Sequence, residues 1–136
     1  MNILFFLTPK IKVAYLESDN TIRQAAEKMY HYSYTNVPVL DNEGHFVRVV
    51  SEGDIFRYLM NHKGNLQALE KPTVMDLDNE RIFKPIHHNA NIEDLLDVIQ
   101  NQNFVPVVDD RNLFIGIVTR RAVIEHVKKI IKSDEE

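Results

Sequence analysis

The sequence predicts an α/β (α+β) fold made of two β-α-β-β-α copies packed pseudo-symmetrically, and three observations carry that expectation. Val37-Pro38-Val39-Leu40-Asp41 returns as Val105-Pro106-Val107-Val108-Asp109, and Val49-Val50-Ser51 returns as Ile117-Val118-Thr119, both 68 residues further on. Ile22, Ala25, Ala26 and Met29 return as Ile92, Leu95, Leu96 and Ile99 at an offset of 70, so the second copy is two residues shorter between this stretch and its proline. A length of 136 residues with 44% hydrophobic content supplies one core, or two small halves sharing an interface, and excludes two large domains.

The apolar opening, Ile3-Leu4-Phe5-Phe6-Leu7, lacks preceding basic residues and is closed by Pro9-Lys10. It is far short of a signal peptide or spanning helix and is expected to pack on the body. Each copy then starts with a short apolar stretch (residues 13–16 and 83–86), expected as a strand. A helix follows, with apolar residues at i, i+3, i+4 and i+7. Thr21 and Gln24 fit a capping box, and Asn89 or Asn91 caps the second copy's helix. Two β-rich runs come next, 37–40 and 46–51, then 105–108 and 113–119. The turns between them are Asp41-Asn42-Glu43-Gly44 and Asp109-Asp110-Arg111-Asn112. A second helix closes each copy. The last one has Val123, His126, Val127, Ile130 and Ile131 on one stripe, with Lys128, Lys129 and Lys132 near its C-terminus. Residues 62–72 read as the linker, copies are expected at 1–64 and 65–136, and disorder is expected only at 132–136.

Sixteen lysines and arginines against 20 acids give a net charge of -4, which argues against coating nucleic acid while allowing a local basic pocket. The absence of cysteine removes disulfides, thiolate metal sites and cysteine nucleophiles, and the cytoplasm is the expected location. His87-His88 tempts as a metal pair. Neighbours on a strand point to opposite faces, however, and no third ligand stands at helical spacing, so no metal is expected. Nor is an enzyme: Ser51 has no evident base partner, and no Gly-x-Ser-x-Gly elbow, Walker loop or Gly-x-Gly-x-x-Gly cradle is present.

The hydrophobic-Pro-hydrophobic strands, Val37-Pro38-Val39 and Val105-Pro106-Val107, resemble those of a tandem pair of CBS motifs, the Bateman module. So do the strand-to-helix turns, Val49-Val50-Ser51-Glu52-Gly53-Asp54-Ile55 and Phe114-Ile115-Gly116-Ile117-Val118-Thr119-Arg120-Arg121-Ala122-Val123. Val74-Met75-Asp76 is similar to the phrase that opens a CBS copy. The resemblance spans essentially the whole chain and implies a small stand-alone regulatory module. Such a module binds an adenosine-containing ligand (AMP, ADP, ATP, S-adenosylmethionine or cyclic di-AMP) in clefts between the copies and signals to a separate protein. It implies no required cofactor, a homodimer formed through helices, and neither nucleic acid nor membrane as partner. Ile55, Phe56 and Leu59, with Ile124, Val127 and Ile131, are the candidate dimer surfaces, unless the core absorbs them.

By the same resemblance the base is lined by Val13, Ala14 and Tyr15 in one copy and by Phe83, Lys84 and Pro85 in the other. Tyr34 and Asn36, or Asn103 and Phe104, approach beside Pro38 and Pro106. Asp54 meets the ribose, and Ser51, Thr119 and basic neighbours meet phosphate. The chemistry agrees: a strand ending in a hydroxyl residue and opening a helix presents amides at the positive end of a dipole, and a carboxylate one turn on accepts a diol. Ser51 with Asp54 is equally an ordinary helix cap. Two departures stand out: Arg48 occupies the place of Gly116, and Ala122 the place of Asp54. Arg48, Lys84, Arg120 and Arg121 are the candidate phosphate cations, each alternatively a solvated surface charge. Two arginines at a helix start oppose the dipole and hint at an anion. The alternative is a ligand-free dimerisation or scaffold module with degenerate sites.

Overall fold

The computed structural model describes residues 1–79 and 81–135. Its regular elements in chain order are β1 (Leu7–Pro9), β2 (Leu16–Glu17), α1 (Ile22–Tyr32), β3 (Asn36–Leu40), β4 (Phe46–Ser51), α2 (Glu52–Asn61), β5 (Ile86–His87), α3 (Ile92–Ile99), β6 (Phe104–Val108), β7 (Phe114–Thr119) and α4 (Arg120–Glu135). The α/β fold with two repeats is as expected. Two compact units result, one from Ala14–Ile82 and one assembled from Met1–Val13 with Phe83–Glu136.

In the continuous unit the sheet order is β2-β3-β4, with β2 parallel and β4 antiparallel to β3. Thr21 and Gln24 form the expected capping box, so α1 starts with its first amides satisfied and presents Ile22, Ala25 and Met29 to the core. Those side chains meet Leu16, Val37, Val39 and Val50 from the sheet. The core is completed by Leu69, Val74 and Leu77, which lie in and beyond the segment expected as a linker. Residues 62–72 are therefore no passive spacer: Leu66–Leu69 forms a 3-10 turn whose Leu69 is buried.

The discontinuous unit repeats this plan, with sheet order β1-β7-β6-β5. Leu95 and Ile99 of α3, capped by Asn91, pack with Ile86, Val105, Val107, Val118 and Val123. Here Ile3 and Phe6 of the N-terminal segment complete the core, as the opening run implied. Packing therefore does not divide the chain at 64/65. The segment before the first copy closes the second copy's core, and the segment before the second copy closes the first's.

Both hairpins use one device. Asp41 accepts from the amides of His45 and Glu43, and Asp109 from those of Leu113 and Arg111, all at 2.9 Å. These bonds, led by the His45 and Leu113 amides, hold the two carboxyls below the usual carboxylate range. The register slips at the same place in each copy, between Val39 and Leu40 and between Val107 and Val108.

Some expectations change. The strands before the first helices are short and displaced: β2 and β5 start at Leu16 and Ile86, leaving residues 13–15 and 83–85 outside regular structure. Val13 belongs to one unit, and Ala14 and Tyr15 to the other. Helix α4 runs to Glu135, so residues 132–135 are helical, while Glu136 lies outside the described residues. Of its stripe only Val123 is buried; Val127, Ile130 and Ile131 remain exposed rather than absorbed by the core, as does Ile124 beside them.

Gly116 explains one departure between the copies. β1 lies directly over it, with Pro9 paired opposite Gly116, whose φ is 153°. A Cβ there would stand 2.2 Å from the Thr8 carbonyl oxygen. Gly116→Ala is expected to lower unfolding free energy by about 2–4 kcal/mol, because backbone rather than a flexible side chain must yield. Gly53→Ala, whose Cβ would stand 3.2 Å from the Arg57 guanidinium that pairs with Asp54, asks only a side chain to shift by a few tenths of an ångström and is expected to change stability by no more than about 1 kcal/mol. Urea unfolding of the two variants checks both values.

Candidate functional site

The strand-to-helix turn of the continuous unit brings Asn36, Ser51 and Asp54 together, since Asn36 pairs opposite Ser51 at the end of β3 and β4. The Glu52 amide donates to the Thr35 carbonyl at 2.9 Å and fixes the exit of α2 from the sheet. Ser51 Oγ accepts from the Asp54 amide at 3.1 Å, and Asp54 Oδ2 accepts from the Ser51 amide at 2.9 Å. The cap is therefore formed. Arg57, one turn further and not anticipated from sequence, donates to Asp54 Oδ1 at 2.7 Å. Asp54 is only 6% exposed. A buried carboxylate holding one cation and one helix start is committed structurally, with its remaining lone pairs the only ones a diol could use.

Arg48 does not sit free for phosphate. Its guanidinium donates to the carbonyls of Val74 at 3.0 Å and Leu77 at 2.7 Å, and to Asn79 Oδ1. Burial lowers its pKa, opposed by the charges of Asp54 and Asp78. Where the second copy uses Gly116 to let a strand approach, the first uses an arginine to strap the segment that completes its core.

The equivalent end of the discontinuous unit gathers Phe83, Lys84, Asn103, Phe104, Thr119 and Arg120. Phe104 pairs opposite Thr119, and the Arg120 amide donates to the Asn103 carbonyl at 2.9 Å. Thr119 Oγ accepts from the Ala122 amide at 3.1 Å, as Ser51 does in the other copy. The organising residue is Gln102, which sequence reasoning passed over. Buried at the position of Tyr34 in the first copy, it accepts from the Lys84 amide at 2.7 Å and donates to the carbonyls of Lys84 and Phe104 at 3.1 and 3.2 Å. The only hint was its place in the repeat. Phe83 and Phe104 are both buried with ring centroids 5.1 Å apart, which makes them packing partners of each other rather than free stacking surfaces.

The helix-start arginines resolve the dipole misfit without an anion. Arg120 Nε donates to the Ile99 carbonyl at 2.9 Å and Nη2 to the Gln100 carbonyl at 3.3 Å, so its charge sits at the negative end of α3. Arg121 pairs with Glu125 at 3.0 Å on the surface. The Lys84 side chain is exposed, and its ammonium has no hydrogen bond or ion pair among the described residues. Pro85 is exposed, and Pro38 and Pro106 are buried within their strands. Tyr15 is half-buried under Lys28, which donates to its carbonyl at 2.5 Å. Tyr34 stacks on Tyr32 and lines a groove of about 610 Å³ with Ala26, Met29, Tyr30, Ser33, Glu52 and Ile55. The expectation that His87 and His88 point apart fails: β5 ends at His87, and the two rings lie 4.4 Å apart.

The family model of the CBS domain matches residues 7–61 and 75–129. Cyclic di-AMP receptor B of Bacillus subtilis is 27% identical over 129 residues, covering 94% of this chain and 87% of that protein. The crystal structure of Listeria monocytogenes CbpB in complex with c-di-AMP superposes with a TM-score of 0.87 at 28% identity, covering 96% of this chain and 97% of that one. Inosine-5'-monophosphate dehydrogenase of Methanocaldococcus jannaschii is 28% identical over 113 residues, where this chain spans 21% of the enzyme's length. Among the described residues no helix is long and apolar enough to cross a membrane.

Arg48→Gln removes the donor to the Leu77 carbonyl and one of the two to the Val74 carbonyl, and is expected to destabilise by about 1–3 kcal/mol. Arg121→Gln, which breaks only an exposed pair, should stay within about 0.5 kcal/mol. Urea unfolding midpoints rank the two.

Proposed function

Because the chain belongs to the CBS domain family, we propose that it is a regulatory receptor for an adenosine-containing nucleotide, with cyclic di-AMP as the preferred candidate. The observation that carries this reading is full-length similarity to cyclic di-AMP receptor B in sequence and to CbpB in complex with c-di-AMP in structure. This chain spans only 21% of the inosine-5'-monophosphate dehydrogenase it matches, against 87% of the cyclic di-AMP receptor, so the proposed role is binding and not catalysis.

Within this reading, the internal hydrogen bonds favour some of the candidate residues over others. Arg48 and Arg120 are spent on backbone carbonyls, so phosphate falls to Lys84 and to the Thr119 hydroxyl at the start of α4. Asn103 and Pro85 are exposed beside them, and Asn36, Ser51 and Asp54 form the corresponding group in the other unit. Ribose recognition by Asp54 uses the lone pairs that Arg57 and Ser51 leave open. Occupancy is passed to a separate protein only as far as the ligand's affinity differs between conformations. Ile55 and Leu59 of the expected dimer surface pack against the continuous unit's core, so a homodimer is proposed through the exposed apolar residues of the helices, Ile124, Val127 and Ile131 in one unit and Phe56 with Met60 in the other.

A second reading, a scaffold without ligand, is favoured by one specific observation: Arg48, Arg120 and Asp54 are all already engaged within the protein. Thermal unfolding with AMP, ATP and cyclic di-AMP separates the two. A ligand at a hundredfold excess over its Kd adds about 2.7 kcal/mol, or about 10 °C for this size, and Lys84→Ala should remove most of the shift. Midpoints unmoved at millimolar ligand favour the scaffold. Sedimentation of the same samples reads the dimer.

A further inference from the structure

Away from the Thr119 end of the sheet, about 13 Å along β6, the end of β5 and the β6–β7 turn bring His87, His88 and Asp110 together. His87 Nε2 lies 2.6 Å from Asp110 Oδ1, and His88 Nε2 lies 4.0 Å from the same oxygen. One potential ligand atom from each residue falls within 4.8 Å of the others. A tetrahedral ion with ligands near 2.1 Å needs them about 3.4 Å apart, so small side-chain rotations close the set. His87 Nδ1 faces Asn89 Oδ1. The Asn89 amide also reaches Nδ1 at 3.3 Å, so the ring can take either tautomer; an ion on Nε2 would select the one that donates Nδ1–H to Asn89 Oδ1, the usual outer-shell arrangement of a ligating histidine.

The backbone beneath is rigid. The His88 amide donates to the Val108 carbonyl at 2.9 Å, and Asp109 holds the turn through two amides. The first copy has the same backbone contact, Ser18 to Leu40 at 2.8 Å, yet places Glu17, Ser18 and Asn42 at these positions. The fold thus does not demand the cluster.

We infer that His87, His88 and Asp110 form a binding site for a divalent transition-metal ion of the zinc type, held by two imidazoles and one carboxylate with its remaining coordination open to water. Two nitrogen ligands favour such an ion over magnesium or calcium. Binding joins the end of β5 to the β6–β7 turn, independently of any nucleotide.

Calorimetric titration of tag-free protein with Zn²⁺ tests the site, with Co²⁺ absorption reporting its geometry. The expected result is saturable uptake of one ion per chain, weakened about tenfold or more by His88→Gln and by Asp110→Asn. His45→Gln, in the other histidine–carboxylate pair, should leave it unchanged. All three changes lie at half-buried or exposed positions, and circular dichroism confirms that the variants fold. Absence of saturable Zn²⁺ uptake overturns the inference, as does equal uptake by the His88→Gln, Asp110→Asn double variant.

Discussion

Ile3 and Val74 are both fully buried, and each lies in the segment that leads into the copy whose core it does not join. This exchange of lead-in segments is the constraint on which the rest of the structure depends. A β-α-β-β-α copy of under seventy residues buries too little apolar surface to stand alone. Each core is finished by large side chains from the segment upstream of the other copy, Ile3 and Phe6 from one 3-10 turn and Leu69, Val74 and Leu77 from two successive 3-10 turns and their end, each such side chain worth about 1.5–3 kcal/mol when buried. The two attachments differ. In the discontinuous unit a strand docks over a residue without a side chain, Gly116; in the continuous unit Arg48 reaches out and grips carbonyls of residues 74 and 77. One backbone position in β4 and β7 is thus specialised in two ways for one purpose.

The same economy governs charge. An arginine near a helix start is poorly placed by the dipole of its own helix, but Arg120 sits at the C-terminal carbonyls of α3 and is stabilised by that helix instead. Arg57 neutralises Asp54 within α2. Cations that a nucleotide phosphate would want are therefore in part already used to hold helices and lead-in segments in place. Lys84 differs because its backbone, not its side chain, is what Gln102 fixes. A rigidly held main chain whose ammonium has no partner among the described residues is the arrangement suited to an incoming anion.

Much of this was legible in the residues. The repeat offsets, the apolar stripes of α1 and α3, the Thr21 capping box and both hairpins lie where periodicity and turn chemistry put them, because those signals are local. The crossing of the lead-in segments was not legible, since nothing in Ile3 or Val74 distinguishes packing on its own copy from packing on the other. The fates of Arg48 and Arg120 were hidden for a related reason. A side chain's partner over twenty or more residues of separation depends on tertiary placement, and a strand arginine aimed at backbone carbonyls reads in sequence like one aimed at phosphate. Gln102 was marked only by its place in the repeat, opposite a tyrosine of different chemistry, and His87-His88 misled because β5 ends between them, so the alternation of a strand no longer applies.

The compact units of the fold do not coincide with the sequence copies, and two fragments distinguish which of them folds by itself. Residues 14–82 contain the whole continuous core, including Leu69, Val74 and Leu77, whereas residues 1–64 contain the first copy without them. Equilibrium urea unfolding followed by circular dichroism should show a cooperative transition for 14–82 and none for 1–64. A cooperative transition for 1–64 at an equal or higher midpoint than 14–82 would contradict the account.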